Sequence, residues 1–421
     1  MDYEMQYLMR LTRCGACGES APEPEQTPDW ERLMRLAYEQ DVLYTAFLPL
    51  KNQAHGCPAA LIEKITAEQR GKALENSMRT EGILSLIAQA QAQGIQLLII
   101  KGYDIARFYR YPECRVSADT DFLVKAEDEA SAFAFLQRAG FIMEPRREDS
   151  NHAVGRHPQL GLVELHNSLI TARFGTTLFA PAQLNERAFD NIQKVSFGEG
   201  SFYALESTNA LLFITFHLIK HFLFNGINLK MMFDTALYAK HNLHHIDTAR
   251  YHEALQKSGY LHFMQIVFGA MVRFGGFEAA DFPLAPAMED ADIAALLDAM
   301  ERDGGMGKNN EDAALEAWMF YHYHIAKNST DKADMALLER ETKRDVHSAL
   351  FPPLAVMRQK YPILHKHPRL YAFCWLHRLF TRGIRRLFSS KRLSNRKVSD
   401  EQALSEKAGE RVQLFKQFEM M

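Results

Sequence analysis

Two aspartates separated by one residue stand at the start of a short apolar segment, "ADTDFLV" (118–124). On a β-strand, residues i and i+2 project from the same face, so Asp119 and Asp121 would project together. Adjacent carboxylates repel each other unless a cation lies between them. Mg²⁺ binds carboxylate oxygens and leaves coordination positions for the phosphates of a substrate. The pair therefore indicates a metal–phosphate site, although an exposed strand end can also carry two acids for solubility.

A lysine and a glycine precede this pair, directly after the apolar segment "IQLLII" (95–100). The segment predicts a buried strand, and the residues after it predict a helix that begins at Gly102. Glycine permits close approach of the backbone to a ligand, and the N-terminus of a helix offers free N–H groups to an anion. Lys101 adds a positive charge there. The turn is thus a candidate phosphate-binding turn, although it is also an ordinary connection between a strand and a helix.

Two further charged residues extend the candidate site. Glu164 lies between Val163 and Leu165 in a predicted strand, where an acid is costly unless it is paired or bound to a metal. It could complete a triad with the two aspartates, or face water on an edge strand. Arg115 could hold phosphate oxygens with its planar guanidinium group, or pair with one of the aspartates.

Other polar residues are secondary candidates. His217 and His221 are spaced i, i+4 on one helix face, and no Glu follows His217 as in zinc proteases, so packing or cleft lining is favoured. Asp234 interrupts an apolar helix, where it would meet an Arg or His, or reach the nucleotide or acceptor. His166 shares a strand face with Glu164 and could contact the acceptor or a phosphate.

The elements that position these residues fall into three predicted regions. Residues 1–94 are predicted to be helical, with Thr66 and Gln69 as a capping box and Gly94 ending a helix. Residues 95–205 predict a small α/β module with helices on one face of the sheet. Residues 206–421 predict a helical domain, in which Ser207 or Thr208 caps the first helix.

Within the α/β module, the pattern of apolar residues sets the predicted elements. Strands are expected at 95–100, 120–124, 141–145 and 161–169, and helices at 102–111 and 126–140. A polar loop with His and Arg residues would connect the third and fourth strands. The order of strands and helices predicts a mixed sheet.

The C-terminal helical domain includes a basic amphipathic segment near 370–398, which contains no acidic residue. Such a helix can lie on an anionic membrane or RNA. It can also dock on its own protein with the basic face in solvent. The formal net charge of the whole chain is only −3, which favours the docked helix.

Composition excludes several classes of protein. Apolar residues make up 47% and charged residues 24% of the 421 residues, as in globular proteins of two or three domains. The first ten residues, "MDYEMQYLMR", include acids and no long apolar run, so no secretory signal is predicted. Five cysteines, an odd and sparse set, do not indicate a disulfide framework. We therefore expect a cytoplasmic protein.

The order of these motifs resembles the uncharacterised nucleotidyltransferase family of the polymerase-beta-like superfamily. "KGYDIARFYRYPECRVSADTDFLV" is followed by "FLQRAGF" and "LVELHNSL", which match its Lys-Gly turn, Arg, Asp-x-Asp strand, glycine-terminated helix and Glu-x-His strand. "HLIKH" (217–221), "MMFDTALY" (231–238) and "YPILHKHPRLYAFCWLHRL" (361–379) are similar too. Many superfamily members carry Gly-Ser at the phosphate-binding turn. Because that serine is missing here, Lys101 would supply the phosphate contact.

The resemblance implies an α+β fold: a small mixed-sheet nucleotidyltransferase module flanked by N-terminal helices and a C-terminal helical domain. It implies transfer of a nucleoside monophosphate from an NTP, with ATP expected, to an unknown hydroxyl or amine, with release of pyrophosphate. Asp119 and Asp121 would bind Mg²⁺, with Mn²⁺ as the alternative. Glu164 would bind a second metal ion or act as general base. Lys101, Gly102 and Arg115 would hold the phosphates as pyrophosphate leaves.

Two alternatives stay open at this point. A glycosyltransferase can bind Mn²⁺ and a sugar nucleotide through Asp-x-Asp, which accounts for the aspartates but not for Glu164 or the Lys-Gly turn. A catalytically degenerate module that binds a nucleotide or nucleic acid would also retain these motifs. The acceptor would be a small molecule or a macromolecule, and its specificity would lie in the helical regions.

Overall fold

A computed structural model describes residues 2–144, 146, 150–170, 183–224, 226–304, 370–371, 410–411 and 413–420. The chain forms two compact units, one of which contains Met1–Ala313 with Leu414–Met421, and the other Ala314–Gln413. The helices and strands between Tyr3 and Asp303 all belong to the first unit. The proposed boundaries at residues 94 and 205 stay predictions.

A mixed β-sheet forms the centre of the first unit, and the described residues contribute seven strands to it in the order β3-β4-β5-β2-β1-β7-β6. Strand β2 pairs in parallel with β5, and β1 in parallel with β7. The other neighbouring strands are antiparallel. The strands are β1 (Leu98–Ile99), β2 (Asp119–Leu123), β3 (Ile142–Glu144), β4 (His152–His157), β5 (Gly161–His166), β6 (Gln193–Phe197) and β7 (Gly200–Ala204).

Helices precede, interrupt and follow the sheet, and the structure confirms the α+β class. None of the described helices is long and apolar enough to cross a membrane. The helices are α1 (Tyr3–Cys17), α2 (Trp30–Glu39), α3 (Leu43–Phe47), α4 (Ala59–Ala92), α5 (Tyr103–Ala106), α6 (Glu129–Arg138), α7 (Gln183–Glu186), α8 (Ser207–Phe224), α9 (Leu229–Asn242), α10 (Thr248–Ser258), α11 (Leu261–Arg273) and α12 (Asp290–Asp303).

The alternation of side chains along β2 and β5 separates a packed face of the sheet from a polar one. Phe122, Val163 and Leu165 are fully buried in a core that also contains residues of α4 and α6, such as Ile87 and Phe135. Each large apolar side chain buried there stabilises the fold by about 1.5–3 kcal/mol. Their neighbours along the strands project from the opposite face. The core thus holds the sheet, and with it the polar face, in a fixed position.

The structure differs from the prediction in three respects within the α/β module. The prediction of a polar loop between the third and fourth predicted strands is wrong, because residues 152–157 form β4. Ala153 of this strand is buried in the core, and Gly155 packs closely against Val163. Strands β6 and β7 were not predicted. The helix over 102–111 is limited to the single turn α5, because the N–H groups of Phe108 and Tyr109 donate to carbonyls three residues back and the Arg110 N–H donates to the distant Ala16 carbonyl.

Two predicted helix starts are also wrong. Thr66 lies inside α4, a helix of 34 residues, and therefore caps nothing. The first turn of α8 is capped by Glu206, whose carboxylate accepts the N–H groups of Thr208 and Asn209. A side chain that accepts two free N–H groups satisfies the helix start as a serine or threonine would. The basic segment near 370–398 lies outside the described residues apart from residues 370–371.

Candidate metal and phosphate site

Three carboxylates meet on the polar face of the sheet. Asp119 and Asp121 belong to β2, and Glu164 lies directly beside Asp121 in the parallel register of β2 and β5. One oxygen from each carboxylate lies within 4.8 Å of the others. Asp121 is 1% exposed, and its Oδ2 atom has no hydrogen-bond partner. A buried carboxylate oxygen without a partner is costly, and a hard divalent cation would satisfy it, so these residues fit Mg²⁺ or Mn²⁺.

The charges around the triad are unevenly compensated. Burial and the neighbouring Asp121 charge raise the pKa of Asp119. Burial also acts to raise the pKa of Asp121, but Lys101 and His166 outweigh it and lower the pKa to about 2. Asp121 is therefore held ionised, while Asp119 lacks enough positive charge nearby. A cation between the two would supply that charge.

Lys101 lies at the end of β1, and its Nζ atom is 3.1 Å from Asp121 Oδ1. Burial acts to lower the pKa of Lys101, but the nearby carboxylates outweigh burial and raise it. The next residue, Gly102, has φ +66° and ψ −99°, a conformation that favours glycine, and α5 starts directly after it. The Lys-Gly turn thus carries a fixed cation and a glycine-dependent backbone beside the carboxylates.

We expect Gly102→Ala to lower the free energy of unfolding by about 1–3 kcal/mol, the usual range for a non-glycine residue in a disfavoured backbone region. A Cβ atom at this position would meet no atom within 4 Å, so backbone strain alone would cause the loss. Urea denaturation measures it. Gly56→Ala is a matched control that measures the cost of similar backbone strain away from the carboxylates. Gly56 also has a positive φ, +81°, and a Cβ atom there would likewise meet no atom within 4 Å. An unchanged stability of Gly102→Ala would contradict the prediction.

Two histidines extend the acidic cluster. His166 Nε2 lies 3.3 Å from Asp121 Oδ1 and 3.2 Å from Glu164 Oε2. His152 Nε2, on β4, lies 3.8 Å from Glu164 Oε1. His152, Glu164 and His166 form a second group of side chains that could hold a metal ion. Sequence reasoning missed His152 because β4 was predicted to be a loop, although the alternation in "HAVGRH" was the available signal.

Arg115 is paired with Asp234 in the interior. Its Nε and Nη2 atoms each donate a hydrogen bond of 2.7 Å, to Asp234 Oδ1 and Oδ2 respectively. The Tyr109 hydroxyl donates to Oδ1 at 2.9 Å, and Lys230 Nζ lies 3.3 Å from Oδ2. Burial acts to raise the pKa of Asp234, but Arg115 and Lys230 outweigh it and lower the pKa to about 2. The partner of Arg115 is therefore on α9, and is neither of the β2 aspartates.

A cavity of about 520 Å³ opens in front of the carboxylates. The sheet side contributes Lys101, Gly102, Arg115, Asp119, Asp121, His152 and Glu164 to its lining; the helix side contributes His217, Lys220, His221, Lys230 and Asp234. All the residues predicted from sequence except His166 line this cavity, and His166 contacts two of those that do. Lys220 and Lys230 were not predicted, and a lysine on a helix gives no local signal of a site.

A second cavity, of about 620 Å³, lies along α4. Its other walls include Tyr103 of α5 and Phe197 of β6, whose ring centroids are 6.0 Å apart. Gly102, Arg115 and Ser117 line both cavities. The two cavities therefore adjoin at the Lys-Gly turn and the segment that leads into β2.

The fold and this cluster define an α+β protein with a candidate metal site beside a cation-lined cavity. The sequence model of the uncharacterised nucleotidyltransferase family matches residues 26–275, more than half of the chain. The chain therefore belongs to that family, as its motifs predicted, and the family supports a nucleotidyltransferase activity. No curated protein matches the chain, and no solved structure matches it.

Proposed function

We propose that the protein is a divalent-metal-dependent nucleotidyltransferase that transfers a nucleoside monophosphate from an NTP, with ATP expected, to a hydroxyl or amine acceptor. The observation that carries this proposal is the carboxylate triad, whose oxygens lie within 4.8 Å of one another and include the unpartnered Oδ2 of Asp121. Its position in a cavity with several cations supports a substrate that carries phosphates.

In the proposed reaction, Asp119 and Asp121 would hold the metal ion, which would supply Lewis-acid stabilisation of the phosphate oxygens, and Glu164 beside them would be left to act as the base. The acceptor oxygen forms a bond to the α-phosphorus, and the bond from this phosphorus to the oxygen bridging it to the β-phosphorus breaks. That oxygen keeps the electron pair and leaves with pyrophosphate. Glu164, which is partly exposed, takes the proton of the acceptor hydroxyl.

Lys101 and Arg115 have positioning and electrostatic roles in this proposal. Lys101 stays protonated beside Asp121, so it offers a fixed positive charge to the phosphates as negative charge develops on the leaving pyrophosphate. Arg115 lines both cavities while two of its nitrogens bind Asp234. The cavity along α4 adjoins the site at Arg115 and Gly102, and it offers space for an acceptor next to the phosphates.

The sugar-nucleotide alternative accounts for less of the observed geometry. A site built on Asp-x-Asp alone needs neither a third carboxylate on a neighbouring strand nor a lysine bound to one of the aspartates. In the structure, Glu164 lies beside Asp121, and Lys101 also contacts Asp121. These contacts support the NTP reaction. The other alternative, a catalytically degenerate module, predicts that a nucleotide or nucleic acid binds without release of pyrophosphate. The pyrophosphate assay distinguishes such a module from an active enzyme.

We expect the protein to release pyrophosphate from at least one NTP in the presence of Mg²⁺ or Mn²⁺ and cell extract as the source of acceptor. EDTA should abolish the release, because the acidic cluster cannot balance its own charge around a triphosphate. The measurement uses ATP, GTP, CTP and UTP labelled at the α-phosphate, followed by identification of the labelled product. A panel of NTPs and UDP-sugars in a thermal-shift assay is the companion experiment. Stabilisation by UDP-sugars alone, or turnover that survives EDTA, would contradict the proposal.

A further inference from the structure

Helix α8 presents three polar side chains to the cavity from the side opposite the sheet. His217, Lys220 and His221 are spaced i, i+3 and i+4, so they share one face of the helix, and all three line the cavity. The rings of His217 and His221 lie with their centroids 4.5 Å apart. The face is polar although most of α8 is strongly apolar. Lys220 is exposed and His217 is half-buried, whereas His221 is buried and therefore needs a partner inside the protein.

Lys220 differs from the other cations of this cavity. Lys101 is paired with Asp121, and both Arg115 and Lys230 are paired with Asp234. Among the residues that the structure describes, none forms an ion pair with Lys220. Burial and repulsion by Lys101 act to lower the pKa of Lys220, while attraction by Glu164 acts to raise it. Lys220 is thus close enough to the metal and phosphate site for its charge to be felt there.

His221 is a second group without a partner in the same place. It is 8% exposed, and its Nδ1 atom forms no hydrogen bond. Burial, and then repulsion by Lys101, Lys220 and Lys230, lower its pKa to about 3, so the ring is neutral at physiological pH. A neutral imidazole next to three lysines can donate one N–H without adding charge. Among the described residues, no carboxylate forms an ion pair with Lys220 or a hydrogen bond with His221 Nδ1, so an anion that accepts from both groups would satisfy them.

We infer that Lys220 and His221 bind the terminal phosphate of a nucleoside triphosphate whose α-phosphate lies at the carboxylate triad. This inference rests on the proposed function and assigns the terminal phosphate of its NTP to two residues of α8, a contact that a sugar nucleotide could not make because it has no free terminal phosphate. The carboxylate triad of the sheet and the two groups of α8 line the same cavity. A metal-bound polyphosphate would match this arrangement, because the aspartates of the triad would hold the metal ion and Lys220 and His221 would be available to the outer phosphate oxygens.

The test is the affinity of Lys220→Met for Mg·ATP, Mg·ADP and inorganic tripolyphosphate, measured by isothermal titration calorimetry. We expect the variant to bind Mg·ATP and tripolyphosphate at least ten-fold more weakly and Mg·ADP within about two-fold of the original protein, because a charged hydrogen bond to one phosphate is lost. Lys220→Arg should retain the preference for ATP. Lys257→Met is the matched control, since Lys257 is exposed on α10 and paired with Glu253 outside the cavity.

Equal losses for ATP and ADP in Lys220→Met, or no loss at all, would overturn the inference. Failure of the original protein to bind either ATP or tripolyphosphate would also overturn it. His221→Gln, which keeps an N–H donor, should bind ATP more tightly than His221→Ala, and thermal denaturation of both variants reports whether they fold. If the original protein prefers ATP to ADP but releases no pyrophosphate, the proposed function fails and the terminal-phosphate site stands.

Discussion

Asp119→Asn should lower the rate of pyrophosphate release by about a thousand-fold or more, a loss of about 4 kcal/mol in transition-state stabilisation. Asparagine keeps the size of the side chain but removes one of the negative charges that hold the metal ion in the triad. Initial rates with saturating NTP and Mg²⁺ measure the loss. Glu127→Gln is the control, because Glu127 is an exposed acid near the same strand that lies outside the cavity.

The same substitution should leave the metal-free protein at least as stable as before. Burial and the charge of Asp121 raise the pKa of Asp119, so the folded state without metal disfavours the ionised carboxylate at neutral pH. Replacement by a neutral amide relieves that cost. Loss of activity together with equal or higher stability is the pattern expected of a residue retained for function. Pyrophosphate release within ten-fold of the original rate, in a folded variant, would contradict the assignment of Asp119.

Asp234→Ala should lower the free energy of unfolding by about 3–5 kcal/mol, the usual loss when one partner of a buried ion pair is removed. The substitution leaves Arg115 buried and charged without its carboxylate, and it removes the acceptor of the Tyr109 hydroxyl. Lys230 also loses its partner. Urea denaturation followed by circular dichroism measures the change. Glu75→Ala, which breaks an exposed pair with Lys72 on α4, should cost less than about 1 kcal/mol.

The double variant Arg115→Met with Asp234→Leu separates the stabilising role of the pair from its role at the site. Apolar side chains of similar volume remove both charges of the bidentate pair, so part of the stability lost in Asp234→Ala should return, and the rest stays lost because Lys230 still has no carboxylate partner. Pyrophosphate release should stay low, because the variant has no guanidinium group beside the phosphates. A single-variant loss below about 1 kcal/mol would show that the pair is not buried as the structure has it. Full activity of a stable double variant would remove Arg115 from the proposed mechanism.

The pair also connects two parts of the fold that meet at the site. Arg115 belongs to the segment that leads into β2, and Asp234 belongs to α9, which carries Lys230 to the same cavity. The bidentate geometry fixes the distance between the carboxylates on the sheet and the cations on the helices. A polyphosphate that bridges the two sides needs this distance to be constant, since a small displacement of reacting groups costs much of the rate.

Several features of the site were predictable because they depend on local pattern. A strand period of two places Asp119 and Asp121 on one face and Phe122 on the other, and the structure has that arrangement. An acid between Val163 and Leu165 was expected to need a partner, and the structure places Glu164 beside Asp121. The mixed sheet followed from the order of strand and helix patterns. In each case the evidence lay within a few residues along the chain.

Other features depend on contacts between distant segments. Arg115 and Asp234 are 119 positions apart, and nothing near either residue distinguishes this pairing from one with the β2 aspartates. Strand β4 has only a weak local signal in its alternation, and it is a strand because β3 and β5 supply its hydrogen bonds. After the short helix that follows Gly102, the chain forms tighter turns and then meets α1, where the Arg110 N–H finds its acceptor.

The sequence by itself determined the candidate acids of the site and the strand faces on which they lie, because alternation and the cost of buried charge act locally. Tertiary structure decided which cations meet them. Lys220 looks like an ordinary helix residue, and the spacing of His217 and His221 favoured only packing or cleft lining, until the packing of α8 places Lys220 and His221 in the same cavity as the carboxylate triad. The packing of helices against a sheet decides which charged residues meet in a cavity. That packing depends on contacts among all the buried apolar side chains, which are distant from one another in sequence.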